Sequence, residues 1–213
     1  MSILIDFILH IDEHLITIVN TFGNWSYLIL FAIIFVETGA VILPFLPGDS
    51  LLFAAAALSA NSMYHLNIWI FAISLFLAAV LGDSTNFFIG RGIGNALTEH
   101  HLFGRFINQQ KLDESRAFFE HYGSISITLA RYMPIIRTFA PFVAGGSNFK
   151  FQKFIVFDIL GAATWVTLCC GAGYFFGNFP IVKAHFSAII IGIVLVSLIP
   201  IVISVLKPHK KAA

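Results

Sequence analysis

The hydrophobic residues of this chain form long runs that polar residues interrupt at a few places. Residues 67–90, 154–176 and 186–206 are each apolar over a length close to the roughly 20 helical residues that cross a bilayer core. These runs predict three membrane-spanning helices. Residues 1–22 mix apolar side chains with acidic residues and histidines, a pattern typical of an amphipathic helix in the membrane interface. Residues 23–213 are then predicted to form a single membrane domain.

Two other apolar segments, at about residues 25–60 and 124–147, are interrupted in the middle. In the first, the arms 26–36 and 50–60 would each reach about 16 Å as helix, roughly half of the hydrocarbon core. Residues that break or end helices are Pro44, Pro47 and Gly48 in the first segment, and Pro134, Pro141 and Gly145 in the second. Half-length arms around a broken tip predict a re-entrant hairpin, because irregular backbone at that depth must be buried or line a cavity.

The distribution of lysine and arginine predicts the orientation in the membrane. No lysine or arginine precedes Arg91, so residues 1–66 are expected outside and the basic positions after them mostly in the cytoplasm, as is the C-terminus. With one crossing between them, the two hairpins then enter from opposite faces. The predicted fold is an all-α membrane protein with two inverted hairpin-plus-helix units and a C-terminal transmembrane helix, an arrangement known from secondary transporters.

Composition supports a lipid environment and excludes several classes of function. Apolar residues make up 58% of the 213 residues and charged residues 11%, with a mean hydropathy of +0.89. A soluble enzyme needs about a quarter of its residues charged, so that class is excluded. The net charge of +1 gives no basic footprint for nucleic acid. No motif predicts a cofactor or a metal site, and the chain is not expected to be an enzyme.

Four charged residues fall at the predicted hairpin tips: Glu37, Asp49, Arg131 and Arg137. Each would cost roughly 2.5–3.5 kcal/mol at mid-bilayer on insertion scales if left unpaired. One interpretation is structural, with the acids of one tip pairing with the arginines of the other. The other is functional: the arginines bind an anionic group through their planar forks, and the carboxylates exchange protons.

Two more acids, Asp83 and Asp158, lie nearer the ends of predicted spanning helices. We expect both to be polar residues near the membrane interface, with Asp83 supporting the site.

At these positions the sequence resembles the DedA family of integral membrane proteins, which shares its core with the eukaryotic VTT-domain proteins. The matching segments are FVETG at 35–39, FLPGDS at 45–50, GD at 82–83, GR at 90–91 and ARYMPIIRTFAPFVAG at 130–145. The resemblance extends over roughly residues 20–206 and is close to the founding DedA branch. It reproduces both broken tips in the same order.

The resemblance implies a multi-pass protein of the bacterial inner membrane with two opposed re-entrant hairpins. It also implies proton-gradient-dependent lipid translocation, notably recycling of the carrier undecaprenyl phosphate for the cell envelope. In this family the residues matching Glu37, Asp49, Arg131 and Arg137 are required for function. The expected partners are membrane lipids, an anionic lipid phosphate and protons, and a homo-oligomer is compatible with the sequence.

Three alternatives stay open at this point. The first is a proton-coupled antiporter of small ions or drugs, which would need a closed aqueous site. The second is translocation of phosphatidylethanolamine. The third is an intramembrane lipid phosphatase, which is disfavoured because the tips hold no Ser/His/Asp set and no metal-spaced histidine pair.

Overall fold

The computed structural model describes residues 11–40, 48–97, 123–147 and 149–177, together with the single residues 179 and 192. Within these ranges the chain forms α-helices, short 3-10 helices and turns but no strand, which confirms the predicted all-α class. The α-helices are α1 Ile11–Phe22, α2 Ser26–Gly39, α3 Gly48–Ser59, α4 Ile68–Leu97, α5 Ser126–Ala130, α6 Pro134–Gly146 and α7 Phe151–Phe176.

Two of the three segments predicted to span the membrane form long apolar helices. Helix α4 covers the predicted span at residues 67–90 and continues beyond it, and α7 covers the span at residues 154–176. Each contains a stretch with a mean hydropathy of 1.8, long enough to cross a membrane. Apart from residue 192, the predicted span at residues 186–206 lies outside the described residues, as do Pro44 and Pro47.

The first two described helices follow each other with only a short turn between them. The 3-10 turn Gly23–Trp25 joins α1 to α2, so that His14–Gly39 forms a helical stretch long and apolar enough to cross a membrane. Leu15 and Val19 of α1 are buried in the main core, and α1 packs on α2 and α3. The interfacial helix at residues 1–22 and the re-entrant hairpins stay predictions.

Both predicted breaks separate two helices. The second is short: α5 ends at Ala130, and α6 begins at Pro134. Proline suits this position because the first helical residue needs no N–H donor. The first break lies between Gly39, where α2 ends, and Gly48, where α3 begins.

The helices on either side of the breaks pack reciprocally. We call α1–α4 the first half of the protein and α5–α7 the second half. Helix α2 packs mainly on α4, and helix α5 packs on α7. Each helix that precedes a break therefore lies on the long helix of its own half. Helix α3 packs on α7 and α6 on α4, so each arm that follows a break lies on the long helix of the other half. Because α4 and α7 also contact each other, the two breaks are brought to one region between them.

Glycines allow the closest of these crossings. A Cβ on Gly90 of α4 would overlap the Phe142 backbone of α6, and a Cβ on Gly145 of α6 would overlap the Phe87 backbone of α4. Small residues at such contacts are typical of helices packed in membranes. The outer faces of α4 and α7 instead expose large apolar side chains, including Trp69, Leu77 and Leu168, as lipid contact requires.

Candidate functional site

Charged side chains stand at the helix ends beside both breaks. Glu37 lies in the last turn of α2 and Asp49 in the first turn of α3, where the helix dipole favours a negative charge. Arg131 lies in the second break itself, and Arg137 follows in the first turn of α6. The reciprocal packing brings these four residues into the region between α4 and α7.

The first cluster, the Arg137 centre, joins the two breaks. Arg137 Nη2 donates to Glu37 Oε1 at 2.5 Å, and Arg137 Nη1 donates to Asp49 Oδ1 at 2.9 Å. The two nitrogens of one guanidinium thus bind two different carboxylates. The structure therefore brings three of the four predicted tip residues into direct contact.

The second cluster, the Arg131 centre, joins the two long helices. Arg131 Nη2 pairs with Asp83 of α4 and donates to Asp158 Oδ1 of α7 at 2.6 Å. Both acids are buried within the protein, at 6% and 2% exposure, and their pairing with Arg131 was not part of the sequence-based expectation. Their physical role is to neutralise an arginine that the second break places in the protein interior.

Trp165 of α7 lies next to both centres. Its indole N–H donates to Asp49 Oδ1 at 2.8 Å. The guanidinium carbons of Arg131 and Arg137 are both 5.7 Å from the centroid of its ring, within the range of a cation–π contact.

The charges of the two centres do not balance. Four carboxylates surround two guanidinium groups, so the fully ionised cluster would carry two excess negative charges. Buried charge without a partner is costly, and proton binding to a carboxylate removes it. The charge cluster is therefore suited to binding protons; it consists of Glu37, Asp49, Asp83, Asp158, Arg131 and Arg137.

The two centres differ in access. The side chains of Arg137 and Asp49 are 18% and 27% exposed, whereas that of Arg131 is 6% exposed. A cavity bordered by both arginines offers about 20 Å³ to the centre of a water molecule. That volume holds about one water, so this arrangement is closed to a phosphate group.

Several polar atoms in this region lack a hydrogen-bond partner within the described part of the chain, namely Glu37 Oε2, Ser50 Oγ, Asn86 Oδ1 and Asp158 Oδ2. Each of these atoms can accept a hydrogen bond from a water or a ligand donor, and the two carboxylate oxygens can also take up a proton, which would relieve the free-energy cost of an unsatisfied buried polar group. Asn86 Nδ2 is used: it donates to the carbonyls of Thr138 at 2.9 Å and Thr38 at 3.2 Å. It thereby ties the helices that carry Arg137 and Glu37 to α4.

The supporting residues predicted from sequence have definite positions where the structure describes them. A Cβ on Gly48 would overlap the Glu37 carboxylate, so glycine keeps room for that acid. Pro141 lines the cavity, and Gly145 lies in the close crossing of α4 and α6. Pro134 starts the helix that carries Arg137.

Comparison with known proteins identifies the family. The VTT domain model matches residues 46–175. The chain is 45% identical to Protein DedA of Escherichia coli strain K12 over 210 residues, 99% of this chain and 95% of that protein. It belongs to the DedA family of VTT-domain membrane proteins.

Other DedA family matches are more distant. An uncharacterized membrane protein of Mycobacterium tuberculosis strain H37Rv is 44% identical over 191 residues, 90% of this chain and 83% of its own. Inner membrane protein YghB of Escherichia coli strain K12 is 29% identical over 180 residues, 84% of this chain and 78% of its own. No solved structure matches the chain.

Sequence reasoning missed the parts of this DedA family site that lie on α7. Asp158, Gly161 and Trp165 follow each other at intervals of three and four residues and so share one face of the helix. A Cβ on Gly161 would come within 3.4 Å of Arg131 Nε, which places this face against the arginine. An acid, a glycine and a tryptophan at this spacing in an apolar helix were the available signal.

Proposed function

We propose that the protein carries an anionic lipid phosphate, undecaprenyl phosphate or a related lipid, from the outer to the inner leaflet of the bacterial inner membrane. The proton gradient drives this movement, and the protein acts as a transporter rather than an enzyme. Its C-terminus is cytoplasmic in this proposal. The observation that carries it is the partly accessible arginine fork of Arg137, held by carboxylates from the other break.

The contacts of the Arg137 centre allow Arg137 to exchange its carboxylate partners for a phosphate. A phosphate offers the same bidentate oxygen acceptors as the two carboxylates that Arg137 now binds. Protonation of Glu37 or Asp49 neutralises a carboxylate that the Arg137 guanidinium binds. The N–H donors of the guanidinium then become available to the phosphate. Release of the proton restores the carboxylate, which then competes the phosphate away.

Arg131 has a different position in this scheme. Family resemblance implies that both arginines act on the phosphate, but the contacts favour Arg137 as the group that takes it. Arg131 is more deeply buried and holds Asp83 and Asp158. The lipid tail is expected to stay in the bilayer, because the cavity is far too small to enclose it.

A proton-coupled antiporter of small ions is the second candidate. The small size of the cavity favours it, since about one water fits where a phosphate does not. This candidate requires no opening of the site toward lipid. The two functions therefore differ in cargo and in the conformational change that transport needs.

Reconstitution into liposomes tests the proposal. Undecaprenyl phosphate with a reporter group is placed in one leaflet, and its transfer is followed with and without an imposed pH gradient. We expect faster transfer with the gradient, and loss of that acceleration in the control variant Arg137→Met. Gradient-independent transfer, or transfer equal to protein-free liposomes, contradicts the proposal.

Two parallel measurements identify the alternatives. Phosphate release from the same liposomes would reveal a hydrolase. Proton movement on addition of small cations, with no lipid transfer, would identify the antiporter. Labelled phosphatidylethanolamine in the same assay tests whether the cargo is a different lipid.

A further inference from the structure

Trp165 contacts one acid of the Arg137 centre and the arginines of both centres. Its N–H bonds to Asp49 Oδ1, the same oxygen that accepts from Arg137 Nη1. The ring is equally distant from the guanidinium carbons of Arg131 and Arg137. The side chain is therefore the direct link between two charge centres that the helices otherwise hold apart.

The surroundings of Trp165 fix its place. The residue is 5% exposed and lines the cavity between the two arginines. It lies on the face of α7 that carries Asp158, while α3, which carries Asp49, packs against the same helix. A tryptophan serving only as lipid contact would face outward, as Trp69 does at 73% exposure.

The chemistry of indole differs from that of the other partners of Asp49. An indole N–H is a neutral donor, and it can bond to a carboxylate or to the carbonyl oxygen of the protonated acid. The contact with Arg137 weakens when Asp49 takes up a proton, because its attraction depends on the negative charge. The ring face attracts a cation whatever the protonation state of the acid.

We propose that Trp165 is a positioning residue: it holds Asp49 in place and keeps both arginines oriented while Arg137 exchanges its carboxylates for a phosphate. This inference rests on the proposed function. Trp165 does not exchange a proton itself, so its effect appears in how the site responds to pH. The titratable and charged groups around Asp49 come from α2, α4, the second break, α6 and α7, and are Glu37, Asp83, Arg131, Arg137, Asp158 and Cys169.

Trp165→Phe tests the role in transport. Phenylalanine keeps an aromatic ring but lacks the N–H donor. We expect roughly tenfold slower gradient-driven lipid transfer, the effect of losing one hydrogen bond to a charged group, and a displaced pH profile. Trp69→Phe, on the outer face of α4, is the matched control and should keep the parent rate and profile. A Trp165→Phe protein with the parent's rate and pH profile overturns the inference.

A fluorescence titration tests the same role without substrate. The chain has three tryptophans, so Trp25→Phe with Trp69→Phe leaves Trp165 as the single emitter. We expect its emission to change with pH, and Asp49→Asn in that background to abolish the change. Emission that is insensitive to pH, or that responds equally with Asn at position 49, overturns the inference.

The two measurements separate this inference from the proposed function. If the parent transports no lipid phosphate but Trp165 emission follows Asp49, the proposed function fails and the link between Trp165 and Asp49 stands. If the parent transports the lipid and Trp165→Phe matches it, the positioning role fails while the proposed function stands.

Discussion

The two arginine centres use the same residue types in different geometries. Arg131 binds two acids through one nitrogen, and those acids belong to the long helices α4 and α7. Arg137 binds two acids through two nitrogens, and those acids belong to the opposite break. The Arg131 centre is closed, whereas the Arg137 centre is partly open. The comparison indicates that the first holds the helices together and the second is the contact that opens.

The largest expected effect is a loss of stability when the Arg131 centre is disrupted. Arg131→Met removes the shared cation of two buried acids, and breaking such a pair costs about 3–5 kcal/mol in the free energy of unfolding. Arg137→Met should cost less, because Arg137 and its partner Asp49 are partly exposed and water can solvate that carboxylate. Thermal unfolding of both variants in detergent, with their amounts in the membrane, checks this order. Equal losses would remove the distinction between the centres.

The acids of the open centre should control proton dependence. Glu37→Gln and Asp49→Asn keep the shape of each side chain but cannot lose or gain a proton at neutral pH. We expect both variants to insert normally and to lose gradient-driven transfer in liposomes. If Glu37→Gln transports with the parent's pH profile, Glu37 does not carry the proton. If both variants fail to accumulate in the membrane, the acids have a structural role instead.

Lysine substitutions should separate the centres by geometry. A single ammonium group can replace the one nitrogen through which Arg131 holds its acids, but it cannot reproduce the fork of Arg137. We expect Arg137→Lys to reduce lipid transfer on the order of tenfold, equivalent to about 1.4 kcal/mol. Arg131→Lys should stay close to the parent in both transfer and unfolding. Similar transfer rates in the two lysine variants would contradict the assignment of the phosphate to Arg137.

The smallest expected effect is at the surface of the second break. Tyr132, next to Arg131, is largely exposed, and its hydroxyl is 2.7 Å from Thr164 Oγ1. Tyr132→Phe removes this bond and should change the free energy of unfolding by about 0.5–1.5 kcal/mol at most. Thermal unfolding measures it. A loss as large as that of Arg131→Met would show that the surface bond, rather than the ion pairs, holds the break.

Much of the open centre was predictable from sequence, because breaks and charges coincide there. Prolines and glycines next to Glu37 and Asp49, and proline next to Arg137, mark those charges as parts of tips rather than of spanning helices. The family resemblance then places the two tips in one protein core. Direct pairing of these charges is then expected, because an unpaired charge between apolar helices is costly.

The closed centre was not predictable in the same way. Asp158 lies in an apolar helix with no break beside it, and its partner depends on which face of α7 turns inward. That face is set by close crossings such as Gly173 against the Phe53 backbone, which no local pattern reveals. The 3-10 turn at Gly23–Trp25, which follows α1 directly and has Gly23 at a φ of +51°, was also not foreseen from the pattern.

The reciprocal packing has a consequence for how the protein is made. Helix α3 lies against α7, and the acid Glu37 finds its arginine 100 residues further along the chain. During synthesis the first half is therefore made before the arginine that pairs with Glu37 and Asp49. At that stage the only arginine in the chain is Arg91, whereas the partner of Glu37 is Arg137. A first half made alone would therefore keep its buried acids without their arginines, a costly state within a membrane.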